Sequence, residues 1–101
     1  MSLTISRQQN GSALTIALAG RLDAQTAPSL DAEMQACPDA VRELVFDCTA
    51  LSYVSSAGLR SFVNAYKAIG RKGGSLRIIH ANDVVMKTLE LTGLTGKLNI
   101  G

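Results

Sequence analysis

The chain has 101 residues, 47% of them hydrophobic, and its ten basic and eight acidic side chains give a formal net charge of +2. A chain of this size is expected to form a single domain, residues 1–101, that buries roughly 60 to 70% of the surface exposed by the unfolded chain. So small a positive charge argues against nucleic-acid binding, which usually depends on a concentrated basic face.

The cysteines and the single histidine argue against a metal or redox centre. Cys37 and Cys48 lack the CxxC spacing of a redox pair, and His80 is the only histidine. We therefore predict no metal site and no cofactor. No run approaches the ~18 apolar residues of a membrane span, and the first residues lack the apolar core of a signal peptide. We expect a cytoplasmic protein with reduced thiols.

Two segments of alternating polarity open the chain, at residues 3–8 and 13–19. Asn10-Gly11 lies between them, and both residues tolerate the positive φ of a tight turn, so the pattern predicts a β-hairpin. Gly20 is expected to end the second strand.

A first helix is predicted to begin at Thr26-Ala27-Pro28, because proline fits the first helical turn, and to stop at Pro38. Its inward-facing residues are expected to be Ala27, Leu30, Met34 and Cys37.

The run Leu44-Val45-Phe46 is apolar without alternation, which predicts a central strand covered on both faces. A short connection should then lead to a helix that ends near Ile69 and is capped by Gly70. Ser55 and Ser56 lie where this helix begins, and one of them is expected to be its N-cap. The apolar positions of the helix recur every three or four residues: Leu59, Phe62, Val63, Tyr66 and Ile69.

In the last third of the chain, a strand is predicted from Ser75 to Ile79. A helix capped by Asn82-Asp83 should follow it and end before Gly93. Its inward-facing residues are expected to be Val85, Met86 and Leu89. Residues 97–100 are expected to form a short edge strand or a loosely docked tail. The order of elements predicts an α/β fold in which the later strands are parallel and the helices lie together.

Two motifs resemble those of the STAS domain family, the sulfate transporter and anti-sigma factor antagonist family. Phe46-Asp47-Cys48-Thr49-Ala50-Leu51 followed by Ser55-Ser56-Ala57-Gly58-Leu59-Arg60 is similar to the family signature, and Gly20-Arg21-Leu22-Asp23 is similar to its Gly-x-Leu-Asp element. The resemblance covers essentially the whole chain. It implies a STAS-like mixed β-sheet of four to five strands with helices packed on it.

The resemblance also implies a function, that of a bacterial anti-sigma factor antagonist. In the regulatory branch of the family, the serine two places before the Gly-Leu pair is phosphorylated by a partner kinase that is also an anti-sigma factor. That serine is Ser56 here, and Ser55 stands where family members often carry Asp. The implied protein binds the kinase when unphosphorylated, is released on phosphorylation and is reset by a serine phosphatase. The implied partner-binding residues are Asp23, Ser55, Ser56, Ala57, Gly58, Leu59 and Arg60.

Other interpretations stay open. Arg60 either screens a phosphate on Ser56 or contacts the kinase, or it is a solvated cation. Asp23 either contacts the kinase or closes its loop as an Asx-turn. The alternative function is a non-switching STAS subunit of an ABC-type lipid transport system, in which Ser56 only caps the helix. A serine enzyme would need a base, and the lone His80 and the missing Gly-x-Ser-x-Gly elbow argue against catalysis. The simplest expected state is a monomer.

Overall fold

A hairpin begins the fold, in a computed structural model that describes residues 3–91 and 99–100. β1 (Leu3–Asn10) pairs antiparallel with β2 (Ala13–Leu22), and Gly11 has the positive φ of 63° that this tight turn requires. The predicted hairpin is therefore confirmed. The expected strand end at Gly20 is wrong, because the two residues after it still pair with the neighbouring parallel strand.

The remaining elements alternate between helices and strands. In chain order they are α1 (Ala27–Gln35), β3 (Glu43–Val54), α2 (Ser56–Arg71), β4 (Ser75–Ile79), α3 (Asp83–Leu91) and β5 (Asn99–Ile100). The strands lie in the order β1-β2-β3-β4-β5, and every pairing after the hairpin is parallel. Since right-handed crossovers that all step the same way along a sheet place their helices on the same face, the three helices share one face. The predicted mixed α/β sheet is confirmed.

The core lies between these helices and the sheet. Alternate residues of the two central strands point into it and are buried: Leu14, Ile16 and Leu18 from β2, and Leu44, Phe46 and Cys48 from β3. The rings of Phe46 and Phe62 stack with their centroids 5.1 Å apart and so join α2 to the middle of the sheet. On the opposite face Val45 and Asp47 are only half-buried, so the expectation that both faces of β3 are covered is wrong.

The third strand is longer than expected. β3 continues to Val54, and the segment predicted as a connection pairs with the end of β2. Two register shifts, between Ala17 and Ala19 and between Gly20 and Arg21, accompany this pairing and break the simple alternation of side chains. As a result Ser55 alone separates β3 from α2.

The second helix is also longer than expected. It runs through Arg71, its C-cap is Lys72, and Gly73 follows with a φ of 76°, so Gly70 is an ordinary helical residue. Tyr66, predicted to face inward, is 38% exposed.

The other helix predictions hold in most respects. In α1, Ala27 and Leu30 are buried, whereas Met34 packs at the edge of the core and Cys37 lies beyond the end of the helix. Asn82 caps α3 by accepting a hydrogen bond from the amide of Val85 at 2.9 Å. The edge strand is confirmed for Asn99–Ile100, whereas Gly93 and residues 97–98 lie outside the described residues.

Candidate partner-binding site

The two sequence motifs meet at one edge of the sheet. The amide of Ser55 donates a hydrogen bond of 2.9 Å to the carbonyl oxygen of Leu22. This bond joins the end of β2 to the start of α2, so the loop that begins at Asp23 lies beside the pair of serines. The carboxyl ends of parallel strands, and the N-termini of the helices that follow them, gather at this edge.

Ser55 is the N-cap of α2. Its backbone is extended, with φ −94° and ψ 177°, and its Oγ accepts a hydrogen bond from the amide of Gly58 at 3.4 Å. Its carbonyl oxygen accepts the bond from the amide of Leu59 at 2.9 Å. The expectation that one serine caps the helix is confirmed. The alternative in which Ser56 is the cap is wrong, because Ser56 already lies inside the helix.

Ser56 is the first residue of α2 and is exposed. Within residues 3–91 its hydroxyl has no hydrogen-bond partner, so it neither stabilises the helix nor is held by a general base. The residue after it, Ala57, is half-buried and faces a groove between α1 and α2. A hydroxyl in this position is open to a modifying enzyme.

Gly58 lets the first turn of α2 lie directly on the strand ends. A Cβ at this position would be 2.7 Å from Cγ of Leu22 and 2.7 Å from Cγ2 of Val54, closer than real Cβ contacts allow. Leu59 is only 5% exposed and belongs to the core. These two members of the predicted partner-binding set are buried and seat the helix on the sheet, and their contact with a partner stays a prediction.

Asp23 builds the loop beside the serines. Its Oδ1 accepts hydrogen bonds from the amides of Gln25 at 3.0 Å and Thr26 at 3.2 Å, which is an Asx-turn. The hydroxyl of Thr26 lies 2.9 Å from the carbonyl oxygen of Arg21 and 3.2 Å from Asp23 Oδ1, and either can accept its single proton. It also accepts a hydrogen bond from the amide of Asp23 at 2.9 Å. The sequence predicted Thr26 only as the start of the first helix, although its spacing of three residues from Asp23 is a recognisable signal for this loop.

The other carboxylate oxygen of Asp23 faces a cation. Asp23 Oδ2 lies 3.9 Å from Nε of Arg21, and that guanidinium stacks 4.2 Å above the ring of Tyr53. Desolvation alone would raise the pKa of Asp23, but the hydrogen bonds from Thr26 and Gln25 and the charge of Arg21 together hold this pKa below its ordinary value. The carboxylate therefore stays ionised and fixes the loop.

Arg60 lies one helical turn after Ser56 and is exposed. It lines a groove of about 260 Å³ together with Ala57 and with Pro28 and Asp31 of α1. In the described part of the chain its guanidinium has no ion-pair partner. It is thus free to meet a charge that is brought to this end of the helix.

Two further groups have a shifted pKa, Cys48 and Asp47. Burial, together with the nearby charge of Asp47, raises the pKa of the Cys48 thiol to about 12, so it stays protonated in the core. Hydrogen bonds from Thr49, and then the charge of His80, lower the pKa of Asp47. Among residues 3–91 and 99–100 there is no cluster of three or more potential metal ligands, and no helix there is long and apolar enough to cross a membrane.

Comparisons with known proteins agree with this architecture. The family model described as STAS domain matches residues 4–101. The "Anti-sigma-B factor antagonist" of Listeria monocytogenes is 30% identical over 104 residues, an alignment that covers 99% of this chain and 90% of the relative.

Solved structures share the fold. An anti-sigma factor antagonist from Mycobacterium paratuberculosis superposes with a TM-score of 0.87 at 24% identity, covering 98% of this chain and 85% of that one. The Bacillus cell fate determinant SpoIIAA, solved in its phosphorylated form, superposes with a TM-score of 0.78 at 16% identity. The superposition covers 97% of this chain and 91% of the SpoIIAA chain. The family model matches nearly the whole length of this chain, and both motifs meet at one edge of the sheet. This chain therefore belongs to the STAS domain family.

Proposed function

We propose that this protein is an anti-sigma factor antagonist that acts by partner switching in the cytoplasm. When unphosphorylated it binds an anti-sigma factor that is also a serine kinase, and phosphorylation of Ser56 releases it. A serine phosphatase resets the switch. The name of the Listeria relative supports the antagonist role, and it favours this function over that of a lipid-transport subunit.

The proposal depends on one observation: Ser55 caps the helix, whereas the hydroxyl of Ser56 is exposed and has no structural role. Ser55 holds the cap of α2, so the exposed Ser56 hydroxyl can receive a phosphoryl group without loss of a structural hydrogen bond. A phosphate at this position meets the positive end of the helix dipole and unpaired first-turn amides, and no acidic residue lies in that turn. The modification therefore changes the surface and leaves the fold intact.

The switch acts through charge at the contact surface. Around Ser56 the exposed or half-buried residues are Ser55, Ala57 and Arg60, and Asp23 holds the neighbouring loop. A phosphate adds a charge of about −1.5 to −2 there, which repels an acidic contact and opposes desolvation of an apolar one. Moving an equilibrium from 1:99 to 99:1 takes about 5.5 kcal/mol of differential binding, a size of effect that a doubly charged group inside an interface supplies.

The phosphorylation state of the protein in its own cells tests the proposal first. Intact mass and peptide sequencing should find phosphate on Ser56 and not on Ser55, in an amount that varies with growth condition. Absence of phosphate under every condition would contradict the switch and favour the constitutive STAS module.

Binding to the serine kinase anti-sigma factors of the same organism is the second test. Ser56→Ala should bind one of them like the wild type, and Ser56→Glu should bind at least about a hundredfold more weakly, as expected for charge placed inside an interface. Ser75→Glu is the matched control and should keep its affinity, because it adds the same charge on an exposed residue at the start of β4, away from the carboxyl ends of the strands. Equal affinity of the wild type and Ser56→Glu would refute release by phosphorylation.

A further inference from the structure

The solvent-facing side of α2 carries only positive charge. The helix contains Arg60, Lys67 and Arg71 and no Asp or Glu, although the whole chain has nearly balanced charges. The preceding helix shows the opposite bias, since α1 contains Asp31 and Glu33 and no Lys or Arg. Charge is thus segregated between neighbouring helices.

The three cations of α2 fall on one stripe that starts at Ser56. They follow Ser56 by four, eleven and fifteen residues, spacings that return to the same side of an α-helix. At 1.5 Å per residue the stripe is roughly 22 Å long. All three cations and Ser56 are exposed.

Within residues 3–91 the three cations of α2 have no counter-ion. In the described residues the ion pairs are Arg7 with Glu33 and Arg21 with Asp23, and neither pair includes a cation of α2. Asp31 lines the same groove as Arg60 but forms no ion pair with it. The positive field of the stripe is therefore directed outward.

Apolar contact area borders the same stripe. Val63 is half-buried and lies one turn before Lys67. Tyr66, which is 38% exposed, lies one turn after Val63 on the flank of the stripe, because successive residues of a helix point about 100° apart. An exposed tyrosine beside a row of charges has the composition of a protein-binding surface, in which an aromatic anchor lies next to a polar rim. We call this surface, formed by Arg60, Val63, Tyr66, Lys67 and Arg71, the α2 ridge.

We infer that the α2 ridge is a docking surface for an acidic face of the anti-sigma factor, continuous with Ser56. This inference rests on the proposed function and adds the chemistry of the partner and the extent of the contact. A phosphate on Ser56 then acts twice, because it repels the acidic face and neutralises the ridge at Arg60.

A protein fits the ridge better than a nucleic acid or a membrane does. Three cations in single file and a net charge of +2 fall short of the dense basic patch that nucleic acids require. An interfacial membrane helix inserts its apolar face, whereas Leu59, Phe62 and Ile69 of α2 are buried against the sheet.

The test measures association of the wild-type domain and two charge reversals with the kinase that passes the binding test above. Lys67→Glu alters the ridge. Arg77→Glu is the matched control, because Arg77 is exposed and pairs in register with Val45, on the face of the sheet opposite to α1, α2 and α3. At about 50 mM salt Lys67→Glu should slow association at least about tenfold and Arg77→Glu less than about twofold, and the difference should shrink at about 500 mM salt. Melting curves confirm that each variant is folded, and Lys67→Gln should give a smaller effect in the same direction.

The outcomes separate the two proposals. If Lys67→Glu and Arg77→Glu behave alike while Ser56→Glu still abolishes binding, the ridge is refuted and the switch stands. If the wild type binds none of the kinases, both proposals fail. Binding of duplex DNA or of phosphatidylserine vesicles that depends on Lys67, with kinase binding unaffected, would overturn the inference and assign the ridge to that ligand.

Discussion

Leu22 lies directly beneath Gly58. Leu22 is the last residue of β2 and is 0% exposed, and a Cβ on Gly58 would come within 2.7 Å of its Cγ. Leu22 of the first motif therefore packs against the first turn of α2, which belongs to the second motif. Because Gly58 has no side chain, the first turn of α2, which includes Ser56, can lie close to the ends of the strands.

Replacement of Gly58 by alanine should therefore destabilise the domain. Overpacking of this kind costs about 1–3 kcal/mol, which exceeds the roughly 0.5–1 kcal/mol that a helix gains from Gly to Ala. Gly70→Ala is the matched control in the same helix, because a Cβ there would meet nothing within 4 Å, and it should be neutral or stabilising. Urea denaturation of both variants checks the prediction, and a Gly58→Ala protein as stable as the wild type would contradict the close packing.

Substitution of the two serines should separate their structural roles. Ser55→Ala removes the cap and should cost about 0.5–1 kcal/mol, at the low end of the usual range because the bond to the amide of Gly58 is long at 3.4 Å. Ser56→Ala should change the free energy of unfolding by less than about 0.5 kcal/mol. Ser55→Asp should raise stability by about 0.3–1 kcal/mol, since the first turn of α2 has no acidic residue. A larger loss from Ser56→Ala than from Ser55→Ala would reverse the assignment of the cap.

Local patterns predicted the elements whose ends are fixed by local chemistry. Asn10-Gly11 predicted the hairpin, and Asn82 predicted the start of α3. For β4, both predicted ends, Ser75 and Ile79, agree with the structure. The extent of β3 was missed because pairing with β2 through two register shifts extends it, and that contact is remote in sequence. The outward position of Tyr66 was missed because hydrophobic spacing alone does not show which side of a helix a neighbouring element covers.

The candidate site shows the same limit. Resemblance to the family located Ser55 and Ser56, but either serine is acceptable as an N-cap, and only the extended backbone of Ser55 decides between them. The burial of Gly58 and Leu59 depends on Leu22 and Val54 from other strands, so their seating role could not be inferred from the motif alone.

The ionised form of Asp23 should contribute to stability in a defined pH range. Because the folded-state pKa lies below the ordinary value of about 3.9, the contribution is present above that value and is lost as the pH falls through the lower folded pKa. Asp23→Asn keeps the acceptor of the Asx-turn but loses the charge. Its melting temperature should be lower than that of the wild type at neutral pH, and the gap should close below about pH 4.

A matched control for Asp23 is Asp39→Asn. Asp39 is exposed, and its carboxylate accepts no hydrogen bond within residues 3–91, so this change should alter stability by less than about 0.5 kcal/mol. A gap between wild type and Asp23→Asn that persists unchanged at pH 2 would show that the charge of Asp23 is not its source.

Phosphorylation of Ser56 should stabilise the isolated domain while weakening its contact with the partner. A phosphate on the first residue of α2 faces the positive end of the helix and lies one turn from Arg60, and favourable charge at a helix N-terminus is worth about 0.3–1 kcal/mol. The phosphorylated protein should therefore melt at a higher temperature than the unmodified protein at low ionic strength. Arg60→Ala should reduce this gain, whereas Lys67→Ala, which lies two turns further on, should preserve it. The gain should also shrink near 1 M salt, where the Debye length falls to about 3 Å. A lower melting temperature after phosphorylation would mean that the modification disrupts α2, and an undiminished gain in Arg60→Ala would leave the helix N-terminus as its only source.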